Sequence, residues 1–172
     1  MKASNVRLIT ECAVLVAVMA VASQIAIPTP FVPITIQCLV VSLCGYYLGV
    51  KRGTISITVY LVLGVIGVPV FSAFNGGIYA ILGPTGGFIV GFLPLCALCA
   101  IIPNKWQGIL LGILGVFVCH LLGTLWYSYS CKIDFITSFI AVSLPFIIKD
   151  IILVVLSYFI SNMLRKRISR QI

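Results

Sequence analysis

Six apolar runs of membrane-spanning length constrain the fold of this chain more than any other feature. A transmembrane helix needs about 20 predominantly apolar residues, with a working range of about 17 to 25. The runs cover residues 8–27, 34–50, 53–71, 81–102, 108–127 and 135–163. Only 8% of the 172 residues are charged, whereas a soluble domain carries about 25%. We therefore predict a single all-α integral membrane domain, residues 1–172, with six transmembrane helices.

The placement of the basic residues predicts how these spans are oriented. Loops on the cytoplasmic side of a membrane carry an excess of Lys and Arg. A cytoplasmic N-terminus puts nine of the eleven basic residues on the inner side, namely Lys2, Arg7, Lys51, Arg52, Lys105, Arg165, Lys166, Arg167 and Arg170. Lys132 then lies outside and Lys149 lies within the last run. We predict a multi-pass cell-membrane protein with cytoplasmic N- and C-termini, whose first run is retained because no small-residue cleavage site follows it.

The composition and the motifs disfavour several classes of function. The net charge of +8 comes from cations at membrane joints, and no nucleic-acid-binding motif accompanies them. The seven cysteines are scattered singly apart from Cys96-x-x-Cys99 within an apolar run, which favours small buried side chains over a metal or redox site. No Walker loop, H-E-x-x-H or G-x-S-x-G motif occurs. We therefore predict that the chain is not an enzyme, has no cofactor, and needs partners for energised transport.

Residues 68–91 combine an apolar character with an irregular backbone. They contain six glycines, two prolines and one side-chain amide, Asn75. Backbone groups cannot stay unpaired against lipid, so such a segment must be buried in protein or must line a cavity. The joints at 28–33 and 72–80 are uncharged and rich in Pro, Gly and aromatic residues. We expect both outer joints to fold back over a ligand pocket between the helix ends.

Asp150 is the strongest candidate for a ligand contact. An ionisable residue inside an apolar run costs at least about 2.5 kcal/mol on insertion scales and indicates a functional site. Its carboxylate offers acceptors to a ligand that carries N–H donors. Lys149 is the next candidate, although adjacent residues of a helix point about 100° apart. The alternatives are a mutually satisfied ion pair near Pro145 and, for Lys149, a side chain that extends away to the interface.

A second group of candidates lies in the irregular stretch. The amide of Asn75 can donate and accept at once, which suits a urea or lactam group, but Asn also favours left-handed turns. The fourth run begins at Gly83-Pro84-Thr85-Gly86-Gly87, where bare N–H groups of a helix N-terminus would attract anions or carbonyls. We take Gly83, Thr85 and Gly86 as candidate contacts. The alternative is an ordinary turn into the helix.

Three further residues are judged by their positions. Gln37 follows the first outer joint at the start of the second run, and Tyr79 is close to the expected pocket, so both are candidate contacts. His120 is the only histidine and lies in the fifth run. A lone histidine on an apolar helix is more typical of hydrogen-bonded packing than of chemistry.

A series of short motifs extends over nearly the whole chain. They are Ala26-Ile27-Pro28, Val32-Pro33-Ile34-Thr35 with Gln37, Lys51-Arg52-Gly53, Gly67-Val68-Pro69-Val70-Phe71, Gly76-Gly77, Gly83-Pro84-Thr85-Gly86-Gly87-Phe88, and Pro145-Phe146 followed by Asp150. Each motif alone is weak. As a set they resemble the BioY family, the biotin-specific S components of energy-coupling-factor (ECF) transporters.

The resemblance implies a fold and a set of partners. The fold is the six-helix S-component fold, with a substrate pocket on the outer side that is capped by the loop after the first span. The partners are a transmembrane T component and two cytoplasmic ATP-binding subunits. Ala13 and Ala17 form a small-xxx-small pair similar to the face that S components use against the T component. Close packing within the bundle is the alternative for this pair.

Biotin is the ligand that the resemblance implies. Asp150 and Asn75 would meet its ureido group, and Thr85 with neighbouring N–H groups would meet the remaining polar atoms. The family typically has a lysine three residues after the aspartate, where this chain has Leu153, so Lys149 one turn earlier is the alternative cation. The other functions considered are an S component for another heterocyclic vitamin, such as thiamine or riboflavin, and a self-sufficient vitamin facilitator.

Overall fold

Within residues 3–102 and 104–169, which the computed structural model describes, the chain forms seven helices and one short strand pair. The helices are α1 (Ala3–Gln24), α2 (Gln37–Val65), α3 (Ile78–Leu82), α4 (Gly86–Cys99), α5 (Lys105–Cys131), α6 (Phe135–Val142) and α7 (Leu144–Ser169). Strands β1 (Ala26–Ile27) and β2 (Ile34–Thr35) pair antiparallel, and Ser72–Phe74 forms a 3-10 turn. The predicted all-α class is confirmed. Lys2 and Arg170, both assigned to the inner side, lie outside the described residues.

Four of the helices are long and apolar enough to cross a membrane. These segments are Val6–Gln24 of α1, all of α2, all of α5, and Leu144–Arg167 of α7. Helix α4 is also apolar, but its 14 residues extend only about 21 Å, less than the roughly 30 Å of a hydrocarbon core. Helices α1, α5 and α7 are therefore long enough to span the membrane as single helices, whereas the 29 residues of α2 are divided by a reversal at Gly49.

Helix α2 reverses direction at Gly49 and consists of two antiparallel legs, residues 37–48 and 50–65. Gly49 has φ 79° and ψ 177°, a conformation that is essentially restricted to glycine. The side chains of Gln37 and Tyr60 meet with Nε2 and OH 2.6 Å apart, whereas a straight helix would separate these residues by about 35 Å. The two legs overlap the predicted runs 34–50 and 53–71, with Lys51 and Arg52 beside the reversal.

Two other predicted runs are interrupted by helix breaks. The run 81–102 divides into the end of α3, a turn at 83–85, and α4. The run 135–163 divides at Ser143, which separates α6 from α7. Pro145 explains this second break, because it has no N–H to continue the α6 hydrogen-bond ladder. The break leaves the side chain of Ser143 free to point into the bundle.

Helices α4 and α5 pack closely through glycines. A Cβ atom added at Gly91 would lie 2.8 Å from Cys119 Sγ, and one added at Gly115 would lie 3.0 Å from a methyl group of Leu95. Small residues allow helices in lipid to approach in this way. The close packing places His120, which follows Cys119, in the interior of the bundle with only 4% of its surface exposed.

Arg165 lies at the same end of the bundle as Lys51 and Arg52, the basic end, because it contacts the α2 reversal. Arg165 of α7 donates to the carbonyl oxygens of Tyr46 and Tyr47, where the first leg of α2 ends. Such carbonyls lack partners within their own helix, so the contact holds the α2 reversal against α7.

At the α5–α6 joint, the backbone N–H of Thr137 donates to the carboxylate of Asp134 at 2.9 Å and lowers the pKa of that carboxyl.

Candidate ligand-binding site

A cavity of about 530 Å³ lies at the end of the bundle that carries the β1–β2 pair. Its walls come from the loop after β1, the segment 71–85, and helices α2, α4, α5, α6 and α7. Most of the wall is apolar, with side chains that include Phe88, Ile89, Phe92, Val142 and Phe146. Small-molecule sites measure about 300 to 1,000 Å³ and combine apolar walls with a few polar groups. The cavity therefore has the size and character of a small-molecule site.

Asp150 places a buried carboxylate in this cavity wall. Only 4% of the residue is exposed. Lys149 Nζ donates to its Oδ1 at 2.6 Å, and His120 Nε2 lies 3.1 Å from its Oδ2. A buried charge must be paired and hydrogen-bonded, and both conditions are met here. The ion pair considered as an alternative is therefore present, and it lies in the wall of the cavity.

Lys149 joins this carboxylate to the strand pair. Besides Asp150, its ammonium group donates to the backbone carbonyl of Thr35 at 2.8 Å. Thr35 belongs to β2, so the contact ties the base of the loop after β1 to α7. Lys149 thus points into the bundle, and the alternative of a side chain extending away to the interface does not describe it.

The residues of the first outer joint form a short loop over the cavity. Strands β1 and β2 pair through Ala26 with Thr35 and Ile27 with Ile34, and they leave residues 28–33 as the loop between them. Its lining residues are Pro28, Thr29, Val32 and Pro33. The hydroxyl of Thr29 donates to the carbonyl of Val32 at 2.6 Å, which keeps the loop compact.

Asn75 lines the cavity from the second outer joint. Its side-chain Nδ2 donates to the carbonyl of Ser72 at 2.9 Å, so part of the amide already stabilises the turn. The end of α1 holds this turn in place, because Gln24 accepts from the N–H of Phe74 at 2.9 Å and donates to the carbonyl of Phe71 at 3.0 Å. The sequence analysis did not identify Gln24, whose partners are about 50 residues away in the chain.

The turn before α4 contributes two of its three candidates to the cavity. Gly83 and Thr85 line it, whereas Gly86 packs against Ile81 and Trp126 instead. Two of the N–H groups that were expected to be unpaired have acceptors within the turn. The N–H of Gly86 donates to the carbonyl of Gly83 at 3.0 Å, and the N–H of Phe88 donates to the carbonyl of Thr85 at 3.1 Å. That expectation is therefore wrong for these two groups, since turn geometry pairs them.

The remaining candidates divide between the cavity and the outer surface of the bundle. Gln37 lines the cavity, and so does Tyr79, which is 82% exposed. Leu153 is not among the lining residues. Ala13 and Ala17 are exposed on α1, so they are not used for packing between the described helices.

His120 is the main cavity residue that the sequence analysis assigned to packing. Its ring contacts Asp150 through Nε2, and its Nδ1 lies 3.1 Å from Ser143 Oγ. Thr124 Oγ1 lies 2.6 Å from the same Ser143 oxygen. One feature of the sequence indicates a polar cluster around His120. His120 and Thr124 are four residues apart and therefore share one face of an otherwise apolar helix.

Apolar helices of spanning length around a cavity with a paired carboxylate define a membrane protein that binds a small solute. The family model of BioY matches residues 1–170. The chain belongs to the BioY family, which confirms the resemblance seen in its motifs. It is a multi-pass cell-membrane protein.

Relatives and a solved structure support this assignment over nearly the whole chain. The probable biotin transporter BioY of Pyrococcus horikoshii is 40% identical over 152 residues, which cover 88% of this chain and 90% of the relative. The biotin transporter BioY of Thermotoga maritima is 31% identical over 167 residues, covering 93% and 96%. A crystal structure of the S-component for biotin from an ECF-type ABC transporter matches with a TM-score of 0.89 at 31% identity, covering 96% of this chain and 94% of that chain.

Proposed function

We propose that this protein is the biotin-capturing S component of an ECF-type transporter. The observation that carries the proposal is the buried carboxylate of Asp150, held in the wall of a mostly apolar cavity. An ionised carboxylate has about four acceptor positions. Lys149 and His120 occupy two of them. The other two match the two N–H donors of the ureido ring of biotin.

The rest of the cavity suits the rest of the ligand. The thiophane ring and the alkyl tail of biotin are apolar and would lie against Phe88, Phe92 and Phe146. Asn75, Gln37, Thr85, Gly83 and Tyr79 are the further contacts that we propose. Gly86 would act by letting α4 pack against Trp126 rather than by touching the ligand. Lys149 is the cation closest to the ligand, in place of the lysine usual in the family.

We infer that the chain is a single domain, residues 1–172, that crosses the membrane six times with both termini in the cytoplasm. The crossings would be α1, the two legs of α2, the α3–α4 segment, α5, and α7 with α6. The distance along α7 between Asp150 in the cavity and Arg165 at the basic end supports this topology. Asp150 precedes Arg165 by 15 residues of α7, or about 22 Å, so the cavity and the basic end face opposite sides of the membrane.

The proposed protein binds and releases biotin but does not itself supply energy, and we propose that it needs neither a cofactor nor a catalytic step. Energy would come from a transmembrane T component with two cytoplasmic ATP-binding subunits. Exposure of Ala13 and Ala17 on α1 supports this arrangement, because small residues allow another helix to approach closely.

Calorimetric titration of the purified protein in detergent tests the proposal. We expect saturable one-to-one binding of biotin and no competition from thiamine or riboflavin. Saturation by another vitamin but not by biotin would contradict the assignment of the substrate. Biotin flux into liposomes that contain this protein alone would instead support a self-sufficient facilitator.

A further inference from the structure

His120 is a buried titratable side chain for which the proposed biotin contacts assign no role of its own. It comes from the middle of α5, and its ring packs edge-on against Phe88 of α4 at a centroid distance of 5.6 Å. Its two nitrogens face Asp150 of α7 and Ser143 at the α6–α7 break. The imidazole therefore joins α4, the α6–α7 break and α7 beside the cavity.

The charges around the cavity favour a neutral imidazole. Among the described residues that line it, the side chains with a formal charge are Lys149 and Asp150, and these two form an ion pair. A second proton on His120 would leave two cations facing one carboxylate. Excess charge is costly in an interior of low dielectric, so the ring is expected to carry one proton only.

The neighbouring groups determine which nitrogen carries that proton. Asp150 is ionised and can only accept, so the nitrogen that faces it, Nε2, must donate. Nδ1 is then an acceptor and receives the hydroxyl proton of Ser143. Ser143 Oγ in turn accepts from the hydroxyl of Thr124 at 2.6 Å. Thr124 and Ser143 are fully buried, and each hydroxyl has a hydrogen-bond partner within this chain of contacts.

We propose that His120 is a positioning residue for the ligand-binding carboxylate. Its Nε2–H fixes Asp150 Oδ2, while Ser143 and Thr124 fix the orientation and the tautomer of the ring. The lone pairs that Asp150 offers to a ligand then point in defined directions before the ligand arrives. Such preorganisation reduces the ordering cost of binding. The affinity part of this inference rests on the proposed binding of biotin, and the spectroscopic part does not.

A double-mutant cycle measures whether His120 acts through Asp150. We expect His120→Leu to weaken biotin binding about tenfold to a hundredfold, as for the loss of one hydrogen bond to a charged group. His120→Gln keeps an N–H donor and should retain most of the affinity. In an Asp150→Asn background, His120→Leu should have almost no further effect. An equal loss in both backgrounds would show an independent structural role and overturn the proposal.

Nitrogen-15 NMR of the protein without biotin tests the tautomer directly. Because His120 is the only histidine, a tag-free sample gives a single imidazole signal set. We expect the neutral Nε2–H tautomer, and a shifted Nδ1 signal in Ser143→Ala. An Nδ1–H tautomer, which leaves no proton on Nε2 to donate to Asp150, would overturn the proposal even if the Leu variant does not fold. The expected signals in a protein that binds no biotin would refute only the proposed function.

Discussion

The proposed role of Asp150 in ligand binding depends on its contacts with Lys149 and His120. Lys149 is its neighbour in sequence, and His120 is 30 residues away. In the proposed arrangement these contacts keep the carboxylate ionised and oriented, with acceptor positions left for the ligand. A carboxylate that served only to satisfy an ion pair would have no reason to face a cavity.

Replacement of Asp150 by Asn should weaken biotin binding by about 2 to 5 kcal/mol, because it removes one side of a buried charged contact. Lys149→Met should cost less, since its ammonium group is shared with the carbonyl of Thr35. Asp134→Asn is the matched control, because Asp134 caps α6 outside the cavity and Asn is an equally good cap. Calorimetry provides the measurement. Normal binding by a folded Asp150→Asn sample would mean that the aspartate is structural.

The sequence identified Asp150 because a charge inside an apolar run is conspicuous. It could not identify the contact with His120, which depends on how closely α4 and α5 pack and on the break at Ser143. Gly86 illustrates the reverse case. Its position in a glycine-rich turn suggested a ligand contact, but only the packed structure shows that its Cα faces Trp126. Local patterns thus predict which residues are unusual, whereas the partners of those residues follow from packing.

Among the elements, the loop between β1 and β2 is suited to close over the ligand. Its prolines restrict the backbone, and its base is tied to α7 through Lys149 and Thr35. The sequence predicted a folded-back joint here from its lack of charge. The strand pair that shapes the joint was not predicted, because two residues per strand give no recognisable alternation.

Biotin should slow the labelling of a cysteine placed at Thr29, because a closed loop shields a residue that lines the cavity. The experiment uses a background in which the half-buried cysteines Cys12, Cys38 and Cys131 are alanine and biotin binding is retained. Lys51→Cys at the opposite end is the matched control and should label at the same rate in both conditions. Equal rates at Thr29→Cys with and without saturating biotin would contradict closure.

The reversal of α2 depends on one backbone conformation. A Cβ atom at Gly49 would meet nothing within 4 Å, so a substitution there tests the backbone rather than packing. Gly49→Ala should destabilise the protein by about 1 to 3 kcal/mol, the usual cost of a strained φ/ψ pair. Val50→Ala is the control, since Val50 is half exposed and has helical geometry. Thermal unfolding in detergent measures both variants, and equal melting temperatures would argue that the reversal is not strained.

For the whole molecule, the separation of the cavity from the basic end gives the bundle two chemically distinct ends. Helix α1 presents an apolar surface along its length, including Val14, Val18 and Val21, and Ala13 and Ala17 are exposed beside them. The spacing of Ala13 and Ala17 in the sequence indicated a small-xxx-small pair for close helix packing. It left open whether these residues face inward, and the structure places them on the outside.

Replacing Ala13 and Ala17 together by Leu should abolish ATP-driven biotin uptake in a reconstituted complex and leave biotin affinity in detergent largely intact. The added bulk would prevent a partner helix from approaching α1. Val14→Leu with Val18→Leu is the matched control on the adjacent stripe and should transport normally. A parallel loss of binding and uptake would assign the alanines to the internal packing, and no change in either would place the partner elsewhere.

The sharp reversal at Gly49 has a consequence for the biogenesis of the protein. The first leg of α2 carries the amide of Gln37, and the second carries the hydroxyl of Tyr60, and these two groups satisfy each other only when the legs lie side by side. The hydroxyl of Tyr60 also donates to the carbonyl of Val70, but a first leg that entered lipid alone would expose the unpaired amide of Gln37, which is costly. The two legs should therefore enter the membrane together as one hairpin, which the backbone conformation of Gly49 permits.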